Sequence, residues 1–177
     1  ELGKKIEASV FPGHQGGPHI NKIAGIAVAL KEAGSGGFKA YAAQIVKNAK
    51  ALAESLIAEG FNLISGGTDN HLILMDVTSV GTTGKIAEAA LGRAGITVNK
   101  NTVPNDPRKP FDPSGIRLGT PALTTRGFTE EEMHTIGSLI ARVLADPENA
   151  SVAEAVKKEV RTLTDLHPLY PGLTYVK

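Results

Sequence analysis

The chain contains no cysteine. Disulfides, thiol nucleophiles and Cys-ligated zinc are therefore excluded. It also lacks a surplus of either charge: Lys and Arg number 19 against 18 Asp and Glu, a formal net charge of +1. Such a chain has no strong electrostatic pull toward nucleic acid or an anionic membrane. No apolar run approaches the roughly 20 residues that a membrane-spanning helix needs. The opening Glu1-Leu2-Gly3-Lys4-Lys5-Ile6 has no apolar stretch of the signal-peptide kind and no initiating Met. These absences lead us to expect a cytoplasmic protein with no nucleic-acid or membrane partner. They also suggest a start inside a longer chain that was cut, processed or cloned from an internal point. A Ser-His-Asp order, a zinc motif, a P-loop and a dinucleotide fingerprint are all missing as well.

What remains is ordinary globular material. The 177 residues are one domain's worth, and 41% are apolar, enough to build a core. Gly (20) and Pro (10) punctuate the chain in clusters. Between the clusters, residues 20–34 carry Ile20, Ile23, Ile26, Ala27 and Leu30 largely at helical spacing. Residues 38–59 form a stronger helical stripe through Phe38, Tyr41, Ile45, Ala49, Leu52, Leu56 and Ile57, with Gly60 as the stop. Short strands are expected at 61–64, 71–77, 96–99 and 115–119. An Ala-rich helix spans 84–94 and ends at Gly95. Thr129 with Glu132 reads as a capping box opening a helix that buries Met133, Ile136, Leu139, Ile140, Val143 and Leu144. A last helix is expected from about Val152 to Leu166. The order α, α, β, β, α, β, β, α, α predicts an α+β layer sandwich: a small sheet covered by helices on one face. The opening helices precede the first strand and should pack elsewhere.

Two features could carry chemistry. Gly16-Gly17 exposes backbone N–H groups just before a helix, an arrangement that can cradle an anion; a plain turn between Pro12 and Pro18 is the simpler reading. Arg117 stands inside a predicted strand between Gly115 and Gly119. Its guanidinium fork matches a carboxylate, from a ligand or from an internal Asp or Glu. The long polar stretch 99–111 is either a functional loop or a connector. His14 and His19, five apart, do not share a helical face, and the His71–Asp69 couple is more often structural than metal-binding. His134 and His167 should be surface residues of helices, and Arg126 lies near a helix end, where a cation is favoured.

Several segments together resemble one family. They are Phe11-Pro12-Gly13-His14-Gln15-Gly16-Gly17-Pro18, Ser65-Gly66-Gly67-Thr68-Asp69-Asn70-His71, Val98-Asn99-Lys100-Asn101 with Pro104-Asn105-Asp106-Pro107, and Gly115-Ile116-Arg117-Leu118-Gly119-Thr120-Pro121. In order and spacing they resemble serine hydroxymethyltransferase over essentially the whole chain. The resemblance implies an aspartate-aminotransferase-like, pyridoxal-phosphate-dependent enzyme that interconverts serine and glycine and passes the one-carbon unit to tetrahydrofolate. The loop from Asn99 onward argues against an aminotransferase.

By that resemblance the chain is the C-terminal portion of such an enzyme. Residues 1–35 would be a remnant of the large cofactor-binding domain, 36–60 the connecting helix and 61–177 the small C-terminal domain. Gly16 and Gly17 match the pair that reaches the cofactor phosphate of a neighbouring subunit, which implies a homodimer or higher oligomer. Arg117 matches the arginine that binds the substrate α-carboxylate. Asn101, Lys109, Pro110 and Phe111 lie where the family's loop contacts folate, although Lys109 stands where some relatives have Ser. Asn21 and His14 receive no role. The Schiff-base lysine, which the family carries in a Thr/His-rich motif upstream, has no counterpart here. The chain alone is therefore expected to be inactive and not to hold the cofactor. The competing reading is a stand-alone module that binds a carboxylate or phosphate, or completes a partner chain. Loss of the upstream domain should also leave Ile23, Ile26, Ala27 and Leu30 exposed and favour self-association.

Overall fold

The computed structural model describes residues 1–170 and Gly172. Residues 171 and 173–177, the end of the expected small domain, lie outside the described residues. The chain divides into two compact units, Glu1–Ala40 and Tyr41–Lys177.

The first unit holds α1 (Leu2–Ala8), a turn-rich stretch Ser9–His14 and α2 (Ile20–Ala33). The helix expected at 20–34 is present. The heptapeptide α1 was not anticipated, since Leu2 and Ile6 alone show little periodicity. No side chain of α2 is buried: Ile23 is 51% exposed, Ile26 59% and Leu30 69%. The expected bare apolar stripe is thus present. At rising concentration this chain should bind an apolar dye and form larger species by light scattering. Ile23→Gln with Ile26→Gln should suppress both, and a clean monomer without dye binding would count against it.

The second unit is built on the long helix α3 (Gly36–Ala58), which enters it from the first. Its buried side is Asn48, Ala49, Ala51, Leu52, Ala53, Ser55 and Leu56. The stripe read from the sequence is too long at both ends: Phe38 and Ile57 are 45% and 46% exposed. The stop at Gly60 is as expected. Gly60 takes φ +88°, and Phe61 N–H returns to Leu56 O at 3.0 Å while its ring is buried. That 6→1 bond with an apolar contact is a Schellman ending, which needs a residue free of Cβ strain at its left-handed position.

Four antiparallel strands follow in the spatial order β1-β2-β4-β3: β1 (Asn62–Leu63), β2 (Leu72–Asp76), β3 (Asn99–Asn101) and β4 (Gly115–Gly119). Alternation decides which face is covered. Ile73, Met75, Ile116 and Leu118 point into a core shared with α3, α4 (Gly84–Arg93), α6 (Glu130–Ala145) and α7 (Ala150–Leu166). The fold class is the expected one, a mixed α/β unit with a small antiparallel sheet and helices on one face. One strand is shifted. The strand expected at 96–99 begins only at Asn99, because Ile96 N–H is still engaged in ending α4, bonding Leu91 O at 2.9 Å. Ile96 and Val98 instead pack against the core as an irregular segment. The short α5 (Pro121–Thr125), opened by a proline at its first position, is not among the elements expected from the sequence.

The Thr129–Glu132 capping box is formed, and α6 buries the expected side with Ile136 only half-buried. A polar seam joins α3 to the segment after β4. Thr120 Oγ1 donates to Ile45 O at 2.9 Å, and fully buried Asn48 donates through Nδ2 to Thr124 Oγ1 and Phe128 O, each at 2.9 Å. Asn48 Oδ1 accepts from Gln44 at 2.9 Å, so the buried amide is satisfied at both ends. His167 departs from expectation. It lies just past α7 rather than on its surface, half-buried, with its ring 4.3 Å from that of Phe128 and Nε2 3.5 Å from Glu132. Arg126 lies at a helix end as expected, here the C-terminal end of α5, and its guanidinium also serves α7, donating to Thr164 O at 2.7 Å and His167 O at 2.9 Å.

Candidate functional site

Strand alternation aims Arg117 away from the core. Ile116 and Leu118 on either side of it are buried, while Arg117 is exposed on the face that the helices of its own unit leave open. Its cross-strand partners are Leu74 on β2 and Asn99 on β3. Arg117 Nε donates to Asn99 Oδ1 at 3.1 Å. The internal ion pair weighed for a buried Arg117 is not formed with any carboxylate among the described residues. The guanidinium opens into a groove of about 490 Å³ whose walls include His71, Leu72, Thr97 and Asn99. A cation with free donors at the mouth of a half-apolar groove is suited to an anion carried on a small molecule.

The strand beside it is pinned from the opposite face. Lys100 pairs with Ile116 in register, and its N–H and Nζ both bond the Glu88 carboxylate of α4 at 3.1 Å. Asn101 faces Gly115 and donates to Thr102 O at 2.6 Å. The following loop is folded around one carboxylate. Asp106 accepts from Val103 N–H (3.1 Å), Arg108 N–H (2.9 Å), Ser114 N–H (2.9 Å) and Ser114 Oγ (2.7 Å). Arg108 also pairs with Asp112. This is an ordered loop rather than a slack connector. Lys109, Pro110 and Phe111 are exposed on it, with Lys109 Nζ 5.9 Å above the Phe111 ring, a cation–π arrangement.

The electrostatics follow from these bonds. Desolvation works to raise the Asp106 carboxyl, but the donors from Ser114, Arg108 and Val103 outweigh it and hold it well below the usual carboxylate range. Glu88 is lowered chiefly by the Lys100 N–H. Both folded-state values lie below the unfolded ones, near 3.8 and 4.5. The stabilisation is therefore complete above those unfolded values and is lost as the pH falls through them toward the depressed folded values. Melting temperature should thus fall as the pH drops below about 4.5, and Asp106→Asn should flatten that acid slope while lowering stability at neutral pH. An unchanged slope in Asp106→Asn would show that other groups govern acid unfolding.

In the first unit, Gly16 and Gly17 lie in the loop before α2. A Cβ built on either would meet nothing within 4 Å, and neither N–H donates to another backbone group among the described residues. His19 caps α2 with its carbonyl, which accepts from Lys22 and Ile23 N–H, but not with its side chain. Exposed N–H groups ahead of a helix can receive an anion. His14 is turned to Ser9 O at 2.8 Å. No group of three or more His, Cys, Asp or Glu that could hold a metal occurs among the described residues, and no described helix is long and apolar enough to cross a membrane.

Sequence reasoning missed Asn99, Glu88 and Asp106. Asn-Asp-Pro is a turn signal that could have pointed to Asp106. Nothing in the sequence pairs Asn99 with Arg117, because the register across β3 and β4 does that.

The open-faced antiparallel sheet with its outward arginine makes this unit a small α+β domain. Comparison with known proteins then places the chain in the serine hydroxymethyltransferase family, whose model matches residues 1–140. Curated relatives named serine hydroxymethyltransferase, a transferase, support this. One from Methanospirillum hungatei is 53% identical over 174 residues, covering 98% of this chain and 42% of the relative. Those from Alkalilimnicola ehrlichii and Rhizobium rhizogenes are 55% and 56% identical, each covering 96% of this chain and 41% of the relative. The chain therefore spans about two-fifths of the length of the curated relatives it matches.

Proposed function

We propose that this chain supplies the C-terminal portion of a pyridoxal-phosphate-dependent glycine hydroxymethyltransferase, which interconverts serine and glycine and transfers the one-carbon unit to tetrahydrofolate. The observation that carries the reading is Arg117, turned out of the sheet with no carboxylate among the described residues as partner. Its fork would hold the α-carboxylate shared by serine and glycine and so orient the amino acid. Bound pyridoxal phosphate would supply the electron sink for bond cleavage at the α-carbon.

The remaining roles follow the same division. Gly16 and Gly17 would offer backbone N–H groups to the phosphate in a neighbouring subunit, making the protein a homodimer or higher oligomer. Asn101, Lys109, Pro110 and Phe111 would meet the folate, on a loop that Asp106 keeps in shape. Residues 1–35 would belong to the large cofactor domain, 36–60 to the connecting helix and 61–177 to the small domain. No lysine here lies in a Schiff-base motif, so this chain alone would neither hold the cofactor stably nor turn over serine.

The test is serine cleavage in the presence of tetrahydrofolate and pyridoxal phosphate. The chain alone should be inactive, and the full-length protein should be active. Turnover by the chain alone would overturn the division of roles. Lack of turnover by the full-length protein would overturn the function.

A further inference from the structure

We infer that Asn99 is a positioning residue for Arg117, holding the guanidinium by Nε so that its two terminal nitrogens are the pair presented to a carboxylate. This rests on the proposed role of Arg117. A guanidinium can grip a carboxylate end-on through Nη1 and Nη2, or side-on through Nε and one Nη. Here the Nε position is taken, because it donates to Asn99 Oδ1 at 3.1 Å. The Asn99 amide has no freedom to turn its other end toward Arg117. Its Nδ2 donates to Lys100 O at 2.9 Å, and a flipped amide would face donor to donor at Arg117 and acceptor to acceptor at Lys100.

The strand under Asn99 is itself anchored. Lys100, the next residue, is tied to Glu88 of α4 through both its N–H and its Nζ. Asn99 is directly cross-strand from Arg117, so the contact follows from register and not from a chance rotamer. On the other side Leu74 is the cross-strand neighbour and offers no polar atom from its side chain. Among the described residues Asn99 is the side chain that bonds the Arg117 guanidinium. A long arginine on an open sheet face would otherwise sample many rotamers, and fixing it in advance reduces the entropy lost on binding.

The experiment uses the full-length holoenzyme with Asn99→Ala, Arg117→Ala and the double variant. Binding is measured with glycine and with ethanolamine, an amine that lacks the carboxylate, and serine kinetics are run in parallel. Asn99→Ala should weaken glycine roughly tenfold, the scale of one hydrogen bond to a charged group. It should raise the serine KM by a similar factor, move kcat less, and leave ethanolamine binding unchanged. In the Arg117→Ala background it should add nothing, since its effect runs through Arg117. Asn99→Asp keeps the size but places a competing carboxylate beside the guanidinium, and should weaken glycine at least as much. Full glycine affinity in both Asn99 variants, an equal loss for ethanolamine, or an undiminished effect in the Arg117→Ala background would each overturn the positioning role. If Arg117→Ala itself leaves glycine binding intact, it is the substrate role of Arg117 that fails.

Discussion

In the full-length protein, Arg117→Ala is expected to raise the serine KM by roughly a hundredfold or more. Truncating one side of a charged, hydrogen-bonded pair costs about 2–5 kcal/mol, and each 1.4 kcal/mol is about tenfold in affinity. Arg117 has no ion-pair partner among the described residues that would be left behind, so the loss should be close to that of the ligand contact alone. Because the carboxylate is held before and during the reaction alike, KM should carry most of the effect and kcat less. Arg117→Lys should recover only part of it, since an ammonium is a point charge without the planar fork. Steady-state kinetics over a wide serine range would decide the matter. An unchanged KM in Arg117→Ala would remove the central support of the proposed function.

The largest stability effect is expected at Gly84, where α4 meets the start of β4. A Cβ there would lie 2.2 Å from Gly115 O and 3.0 Å from Pro113 O. Both obstacles are backbone, so neither can swing aside. Gly84 N–H also donates to Pro113 O at 2.7 Å, so any retreat of the helix breaks that bond. Overpacking against a rigid wall together with a lost hydrogen bond should cost about 3 kcal/mol or more. Urea unfolding of Gly84→Ala in the full-length protein would read it as a lower midpoint. Gly137 provides the contrast. A Cβ there would meet the Ser55 side chain, 2.1 Å from Oγ and 2.7 Å from Cβ. That obstacle can be deleted, so Ser55→Gly should rescue Gly137→Ala, whereas no side-chain deletion should rescue Gly84→Ala. A midpoint for Gly84→Ala equal to that of the parent would mean that α4 is not held so closely against β4.

Much of this was legible from local chemistry. Helix α3 with its Gly60 stop, the Thr129–Glu132 box and the β4 strand follow from signals within a few residues of each other. The glycines around Arg117 marked it as unusual for the same reason. Legibility failed where an element's limits are set by a distant partner. The strand β3 starts late because α4 still holds Ile96, and His167 is half-buried because Phe128 and Glu132 come to meet it. The shared reason is that period and propensity describe one segment at a time, while strand ends and polar partners are chosen by whatever packs alongside.

The order of the elements and of the motifs determined the fold class and the family from sequence alone, while the missing cysteines and balanced charge only excluded chemistries and partners, because those properties belong to residue types and their order along the chain. Which way Arg117 points, and which side chain holds it, only the tertiary structure decided. A one-residue change of register would turn Arg117 into the core and carry Asn99 away from it, and that register is set by the buried Ile73, Met75, Ile116 and Leu118 packing beneath the helices.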